Sequence, residues 1–326
     1  MLKFKVVITD NIFPDLEMET SMLKETGADF IEVTDPAGIK EACRDADAVI
    51  NTYAQMTKDI IDAMEKCRLV IRNGIGVNTI DVGACTAKGI MVGNLPSYCI
   101  NEVSEHALAL ILALARKIVP LNASVRQGVW DVKRASPVYS LEGKTLGLIG
   151  FGRIPRLVSA KARAFGFQVL AFDPYVTAEA MAAESVQKSD LYDMLSKSDY
   201  VSIHCPLTPE TKGLFNMEAF TKMKKTAYLI NTSRGPVINE ADLAAALANG
   251  EIGGAGLDVL DKDEVDPGNP LLEFDNVILT PHTAWYSEES IARRRVQTIE
   301  SVISVLKGGQ PASLVNREEL GLSFIP

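Results

Sequence analysis

The stretch Thr145-Leu146-Gly147-Leu148-Ile149-Gly150-Phe151-Gly152-Arg153-Ile154-Pro155 decides the fold. Its first residues read as an apolar strand covered on both faces, and they run into Gly-x-Gly where a helical pattern begins. Glycines at such a turn let the backbone bend sharply and approach a pyrophosphate, which rests on the amides and positive end of the following helix. A tight strand-to-helix turn without a ligand has the same local signature. The next apolar run, Gln168–Phe172, ends in Asp173. A dinucleotide fold places a carboxylate for the adenine ribose hydroxyls ~20 residues after the first glycine, and Asp173 stands near that separation. Pro174 and Tyr175 follow, with no adjacent Arg to take a 2′-phosphate, so NAD is expected over NADP. Pro155 stands where the third glycine of the fingerprint is usual. Proline is tolerated in a first helical turn, but its ring adds volume at a close helix–strand contact, so a modest loss of cofactor affinity is expected.

Working outward, β-branched runs alternate with helical patterns along most of the chain. They are Phe4–Thr9, Phe30–Val33, Ala48–Asn51 and Leu69–Ile71, then Thr145–Ile149, Gln168–Phe172, Tyr200–His204, Ala227–Asn231, Gly256–Val259 and Val277–Leu279. This alternation predicts an α/β protein with doubly wound parallel sheets. Two long helices are expected, one from an N-cap at Asn101 to Arg116, the other from about Ser287 to Leu306, stopped by Gly308-Gly309. An irregular stretch with Gly128, Trp130, Pro137 and Gly143 precedes a fresh βαβ series at Lys144. The expected units are residues 1–98 and about 99–288, with residues 289–326 open to either.

Composition narrows the function. A chain of 326 residues suits two domains, and 47% apolar with 23% charged residues is a globular profile. The 33 Lys and Arg against 42 Asp and Glu leave a net charge of −9, which excludes a generally basic nucleic-acid binder. Arg293-Arg294-Arg295 reads as a solvated helix face. The longest apolar run, Ala107–Ala115, falls well short of the ~20 residues of a bilayer span and predicts a buried helix, so no membrane association is expected. Residues 1–10 hold no secretory core, and Cys43, Cys67, Cys85, Cys99 and Cys205 form no Cys-x-x-Cys pair. Free thiols, no metal site and a cytoplasmic location are the expectation.

Two further segments carry chemistry. Asn231-Thr232-Ser233-Arg234-Gly235 closes a strand, and an Arg there faces the crevice where ligands of parallel sheets bind. Its planar fork suits a carboxylate or a polarised carbonyl, or equally a salt bridge across the loop. Leu279-Thr280-Pro281-His282-Thr283-Ala284-Trp285 places one of only three histidines at another strand end, where a proton donor would meet a substrate. His106 lies in the long apolar helix and reads as a core or interface histidine. His204, in Ile203-His204-Cys205-Pro206, reads as structural or cofactor-adjacent.

Taken together, Leu-Ile-Gly150-Phe-Gly152-Arg-Ile, His204-Cys-Pro-Leu-Thr-Pro-Glu-Thr, Asn231-Thr-Ser-Arg234-Gly-Pro-Val-Ile, Gly256-Leu-Asp258-Val and Thr280-Pro-His282 resemble the D-isomer-specific 2-hydroxyacid dehydrogenase family, over nearly the whole chain. His282-Thr-Ala-Trp285-Tyr-Ser and Arg72-Asn-Gly74-Ile-Gly76 further resemble the branch that holds the C-terminal binding proteins and phosphoglycerate dehydrogenase-like reductases. The resemblance implies two Rossmann-like domains: a flavodoxin-like substrate domain from residues 1–98 with 289–326, and an NAD-binding domain over 99–288. It implies a homodimer and a small 2-oxo or 2-hydroxy acid as substrate. His282 would exchange a proton with the carbonyl oxygen and Arg234 would hold the substrate. Ile75 and Gly76 would offer amides to its carboxylate, Ile75 also reaching the cofactor, with Arg72 and Trp285 lining the pocket. Asp258 would face the nicotinamide carboxamide. Arg153 and Ile154 would sit at the pyrophosphate, and Cys205, Pro206, Thr211, Thr232 and His282 around the nicotinamide half. The family's catalytic Glu falls on Asp263, one methylene shorter, with Glu264 able to serve after a one-residue shift. The resemblance to corepressors also leaves an NAD(H)-sensing interaction protein with weak catalysis as the alternative.

Overall fold

The computed structural model describes residues 4–262 and 264–323. The chain divides into two compact units, Met1–Cys99 with Ser287–Pro326, and Ile100–Tyr286.

In the first unit, β1 (Lys5–Ile8), β2 (Asp29–Glu32), β3 (Ala48–Asn51), β4 (Leu69–Arg72) and β5 (Met91–Gly93) form a parallel sheet in the order β2-β1-β3-β4-β5. The inner strands carry successive buried apolar residues, β3 buried throughout and β1 and β4 at all but one end residue, as both-face coverage requires, whereas β2 is a largely exposed edge. The Glu288–Leu306 helix belongs to this unit and starts in a capping box in which Ser287 and Ser290 exchange side-chain-to-amide bonds. Its buried positions include Ser290, Arg294, Thr298 and Val302, one per turn along a single face.

That face corrects the reading of the triple arginine as solvated. Arg294 is 2% exposed, lies against the rings of Phe13 and Tyr98, and donates from Nε to Asn73 Oδ1 at 2.9 Å. Arg293 donates to the Tyr98 carbonyl, and Arg295 pairs with Glu19 and Asp15. Three cations in a row stay near the core because each meets a different acceptor around the helix.

The second unit holds β6 (Thr145–Ile149), β7 (Gln168–Phe172), β8 (Gln187–Lys188), β9 (Tyr200–Ile203), β10 (Tyr228–Asn231), β11 (Gly254–Leu257) and β12 (Val277–Leu279), all parallel, in the order β12-β11-β10-β9-β6-β7-β8. The order reverses direction at β6, the switch point of a doubly wound sheet. The long apolar helix is Ile100–Ala115, so Asn101 is inside its first turn and not the cap. It lies close on β11 because Gly256 has no side chain: a Cβ there would meet Leu110 and Leu114 at 3.1 Å. β11 holds two glycines, Gly254 and Gly256, residues of low strand propensity, and it begins at Gly254, two residues before the apolar pattern suggests.

Candidate functional site

Strand pairing in the second unit aligns Phe172, Ile149, Ile203, Asn231, Leu257 and Leu279 on one line across six adjacent strands. The residues that follow are Asp173, Gly150, His204, Thr232, Asp258 and Thr280. All six stand at carboxyl ends, the edge where open α/β sheets take their ligands.

At the switch point, Gly150 holds φ +87°, and a Cβ on it would press on the His204–Cys205 backbone at 3.2 Å. Gly152 is its opposite, since a Cβ there would meet nothing within 4 Å. The space it leaves open lies at the start of the Arg153–Arg163 helix, whose first amides have no side-chain cap. Pro155 is buried in the first turn of that helix, which continues unbroken beyond it. Arg153 is exposed and Ile154 half-buried. Asp173 reaches back over this turn: its carboxylate accepts the amide of Phe151 at 2.8 Å, and those of Tyr175 and Val176 at 2.8 and 3.2 Å. A carboxylate on the glycine turn opposes a 2′-phosphate by charge and leaves lone pairs for ribose hydroxyls.

Beside the turn, burial pushes the His204 imidazole down to about 3, so the ring is neutral and exchanges its one hydrogen bond with the Ser202 hydroxyl at 2.9 Å. Burial likewise pushes the Cys205 thiol up to about 11. Neither supplies an ion near neutral pH. The following loop is closed on itself, Thr211 Oγ1 donating to the Pro206 carbonyl at 2.6 Å.

At the end of β10, fully buried Asn231 pins the next turn, its Oδ1 accepting from Ser233 and its Nδ2 donating to the Arg234 carbonyl at 2.9 Å. Thr232 Oγ1 is buried there with no hydrogen-bond partner. Gly235 is obligatory, because a Cβ would lie 1.7 Å from the Leu260 carbonyl oxygen. The Arg234 turn is thereby packed against the loop after β11. That loop is bracketed by Glu240, whose carboxylate accepts from the Asp261 amide and from Asn269 Nδ2. Asp263 lies outside the described residues; Glu264 is exposed.

At the end of β12, His282 adopts φ +51°, the left-handed region that a non-glycine residue rarely enters. Its amide donates to the Asp258 carbonyl at 2.8 Å. The Asp258 carboxylate accepts the amides of Thr283 and Ala284, both at 2.9 Å, and the Thr280 hydroxyl at 2.6 Å. Asp258 is 1% exposed, and each of its carboxylate oxygens is engaged within the chain. His106 Nε2 approaches Thr280 Oγ1 at 2.9 Å and Asp258 Oδ1 at 3.4 Å. Sequence reading took His106 for a core or interface histidine and passed over Glu240, because contacts across the sheet leave no spacing signal. Trp285 is half-buried and meets Tyr286 edge-on, with ring centroids 5.7 Å apart.

In the first unit, Arg72 at the end of β4 folds over Gly74, where a Cβ would overlap its guanidinium, and stacks 5.7 Å from the Tyr53 ring centroid. Ile75 and Gly76 follow half-buried in the same loop. Asn73 fastens that loop, its Oδ1 accepting from Arg294 and Thr298 of the Glu288–Leu306 helix.

The open space at Gly152, the uncapped amides behind it, the Asp173 carboxylate and the unpartnered Thr232 hydroxyl together fit a dinucleotide. The second unit thus has the fold of a dinucleotide-binding domain. The profile of the "D-isomer specific 2-hydroxyacid dehydrogenase, NAD binding domain" matches residues 108–284. A D-3-phosphoglycerate dehydrogenase of Methanocaldococcus jannaschii is 38% identical across 97% of this chain, which spans 61% of that relative's length. A glyoxylate reductase of Korarchaeum cryptofilum is 36% identical across 86% of both chains. A crystal structure of D-lactate dehydrogenase from Aquifex aeolicus, complexed with NAD and lactic acid, superposes with a TM-score of 0.88 at 29% identity, covering 95% of this chain and 98% of that one. The chain belongs to the D-isomer-specific 2-hydroxyacid dehydrogenase family, among its nicotinamide-dependent enzymes.

Proposed function

We propose that this protein interconverts a 2-oxo acid and a D-2-hydroxy acid with NAD(H), in the cytoplasm and as a homodimer. The observation that carries the reading is the left-handed turn that holds His282 at the same sheet edge as the glycine turn and Arg234. In this reading the Arg153–Arg163 helix amides, with Arg153 and Ile154, hold the pyrophosphate, and Asp173 takes the ribose hydroxyls. Thr232 Oγ1 supplies a hydrogen bond to the nicotinamide half, near Cys205, Pro206 and Thr211.

The bound dinucleotide supplies the hydride that adds to the carbonyl carbon, or accepts it in reverse. His282 gives a proton to the carbonyl oxygen as the hydride adds and takes it back in the opposite direction. Arg234 holds the substrate by a two-pronged bond to its carboxylate or carbonyl. Arg72, the amides of Ile75 and Gly76, and Trp285 are assigned to the substrate. Asp263 or Glu264 is assigned to keep His282 protonated and oriented. Exposed apolar side chains at Ile118, Val125, Trp130 and Val132 support self-association of the second unit.

The substrate class follows from an assay of NADH oxidation against glyoxylate, hydroxypyruvate, pyruvate, phosphohydroxypyruvate and longer branched 2-oxo acids, with NADPH as control. Turnover of one class that disappears in His282→Ala, with NADH still bound, is expected. NADH binding with no turnover on any acid would instead favour an NAD(H)-sensing interaction protein.

A further inference from the structure

His106 is unused by this assignment, yet it touches the turn that carries the proposed proton donor. The Thr280 hydroxyl has one hydrogen. At 2.6 Å from Asp258 Oδ1, an acceptor-only group when ionised, that hydrogen belongs to the carboxylate. Thr280 Oγ1 can then offer only a lone pair to His106 Nε2, 2.9 Å away, so Nε2 must carry a hydrogen. The result is a directed chain: His106 Nε2–H to Thr280 Oγ1–H to the Asp258 carboxylate, which also receives the Thr283 and Ala284 amides. Asp258 receives the His282 amide on its carbonyl.

The chain has a fixed root. His106 sits on the Ile100–Ala115 helix, which Gly256 allows to approach β11 closely. One turn of that helix also binds the nucleotide-site helix, as Lys161 Nζ donates to Ser104 Oγ at 2.9 Å and to Glu105 Oε1 at 3.0 Å. One helix therefore fastens both the Arg153–Arg163 helix and the His282 turn. The left-handed His282 backbone is strained for a residue with a side chain and persists only where its surroundings hold it.

We propose that His106 is a positioning residue for the reaction, acting through Thr280 and Asp258 to hold His282 in its left-handed turn. The proposal rests on the assignment of His282 as proton donor. It differs from a packing role in one respect: what matters is a donor at the Nε2 position. Gln supplies a donor of nearly the same reach, and Leu fills similar volume with none.

The test compares wild type, His106→Leu, His106→Gln and His282→Ala, full-length. In the ligand-free protein, deuterium uptake is measured over the peptide spanning residues 280–286. With ligand, kcat and the KM for NADH are measured on the best 2-oxo acid of the panel. His106→Leu is expected to exchange the Thr283 and Ala284 amides faster and to lower kcat by about 10- to 100-fold with KM for NADH little changed. His106→Gln is expected to restore both. Wild-type exchange and kcat in His106→Leu would overturn the proposal. So would equal defects in the Leu and Gln variants, since volume or ring shape would then be what counts. Retained turnover in His282→Ala would instead overturn the assignment beneath it, and the exchange comparison still decides whether His106 holds the turn.

Discussion

Asp258 accepts the main-chain amide of His282 on its carbonyl oxygen, and the next two amides on its carboxylate. One residue at the end of β11 thus fixes the path of three residues just past β12. Asp258→Asn keeps the shape but turns an amide NH2 toward a donor. An unsatisfied pair of donors in a buried site costs about 1–3 kcal/mol, and a fall in stability of that size is expected in urea denaturation, together with lower kcat. Wild-type stability in the variant would show that the carboxylate is not the anchor described.

Asp173 is held by the glycine turn before any ligand arrives, through the Phe151 amide. Asp173→Ala removes both an anchor of that turn and a charged acceptor for ribose hydroxyls. Hydrogen bonds to charged groups contribute about 1.5–3 kcal/mol, so NADH affinity should fall about 10- to 100-fold, and the preference over NADPH should narrow. Fluorescence titration with both dinucleotides measures this; an unchanged NADH affinity would refute the ribose assignment.

His204 gives a pH dependence with a definite sign. Its folded-state value, about 3, lies below the ordinary 6.5. The unfolded chain therefore takes up a proton below pH 6.5 that the folded chain refuses until about 3. Stability from this residue is full above about 6.5 and declines as the pH falls, by up to about 1.4 kcal/mol per pH unit. The stability difference between wild type and His204→Gln should shrink steadily from pH 7 to pH 4. A difference that stays constant over that range would contradict it.

Gly235 admits no side chain. A Cβ at 1.7 Å from the Leu260 oxygen forces the Arg234 turn and the loop after β11 apart. Gly235→Ala should cost more than about 2 kcal/mol and reduce kcat with it. A stable, fully active Gly235→Ala protein would mean the two loops separate freely.

Much of this was legible in the sequence. The strands from Thr145 to Leu279 announce themselves by apolar runs because burial on both faces leaves no polar alternation to blur them. Gly150, Asp173, Arg234 and His282 stand just past those runs, so finding the strands finds them. β5 and β8 were missed, since three residues and two residues carry too little pattern. The backbone contacts of Asp258 were hidden for another reason. A carboxylate after a strand reads the same whether it faces solvent or the backbone of a neighbouring turn, and only the Thr283 and Ala284 amides decide. The buried face of Arg294 was hidden likewise, because a run of three arginines looks solvated until its acceptors are located.

The register line from Phe172 to Leu279 bears on how such a protein can change over time. A strand lengthened or shortened by one residue would turn its terminal group to the opposite face of the sheet. Insertions and deletions inside these six strands are therefore closed to drift, whereas the connecting segments beyond the line are free to vary in length. New substrate preferences should arise by remodelling those segments, and grafting them between relatives should transfer preference while the hydride-transfer frame stays intact.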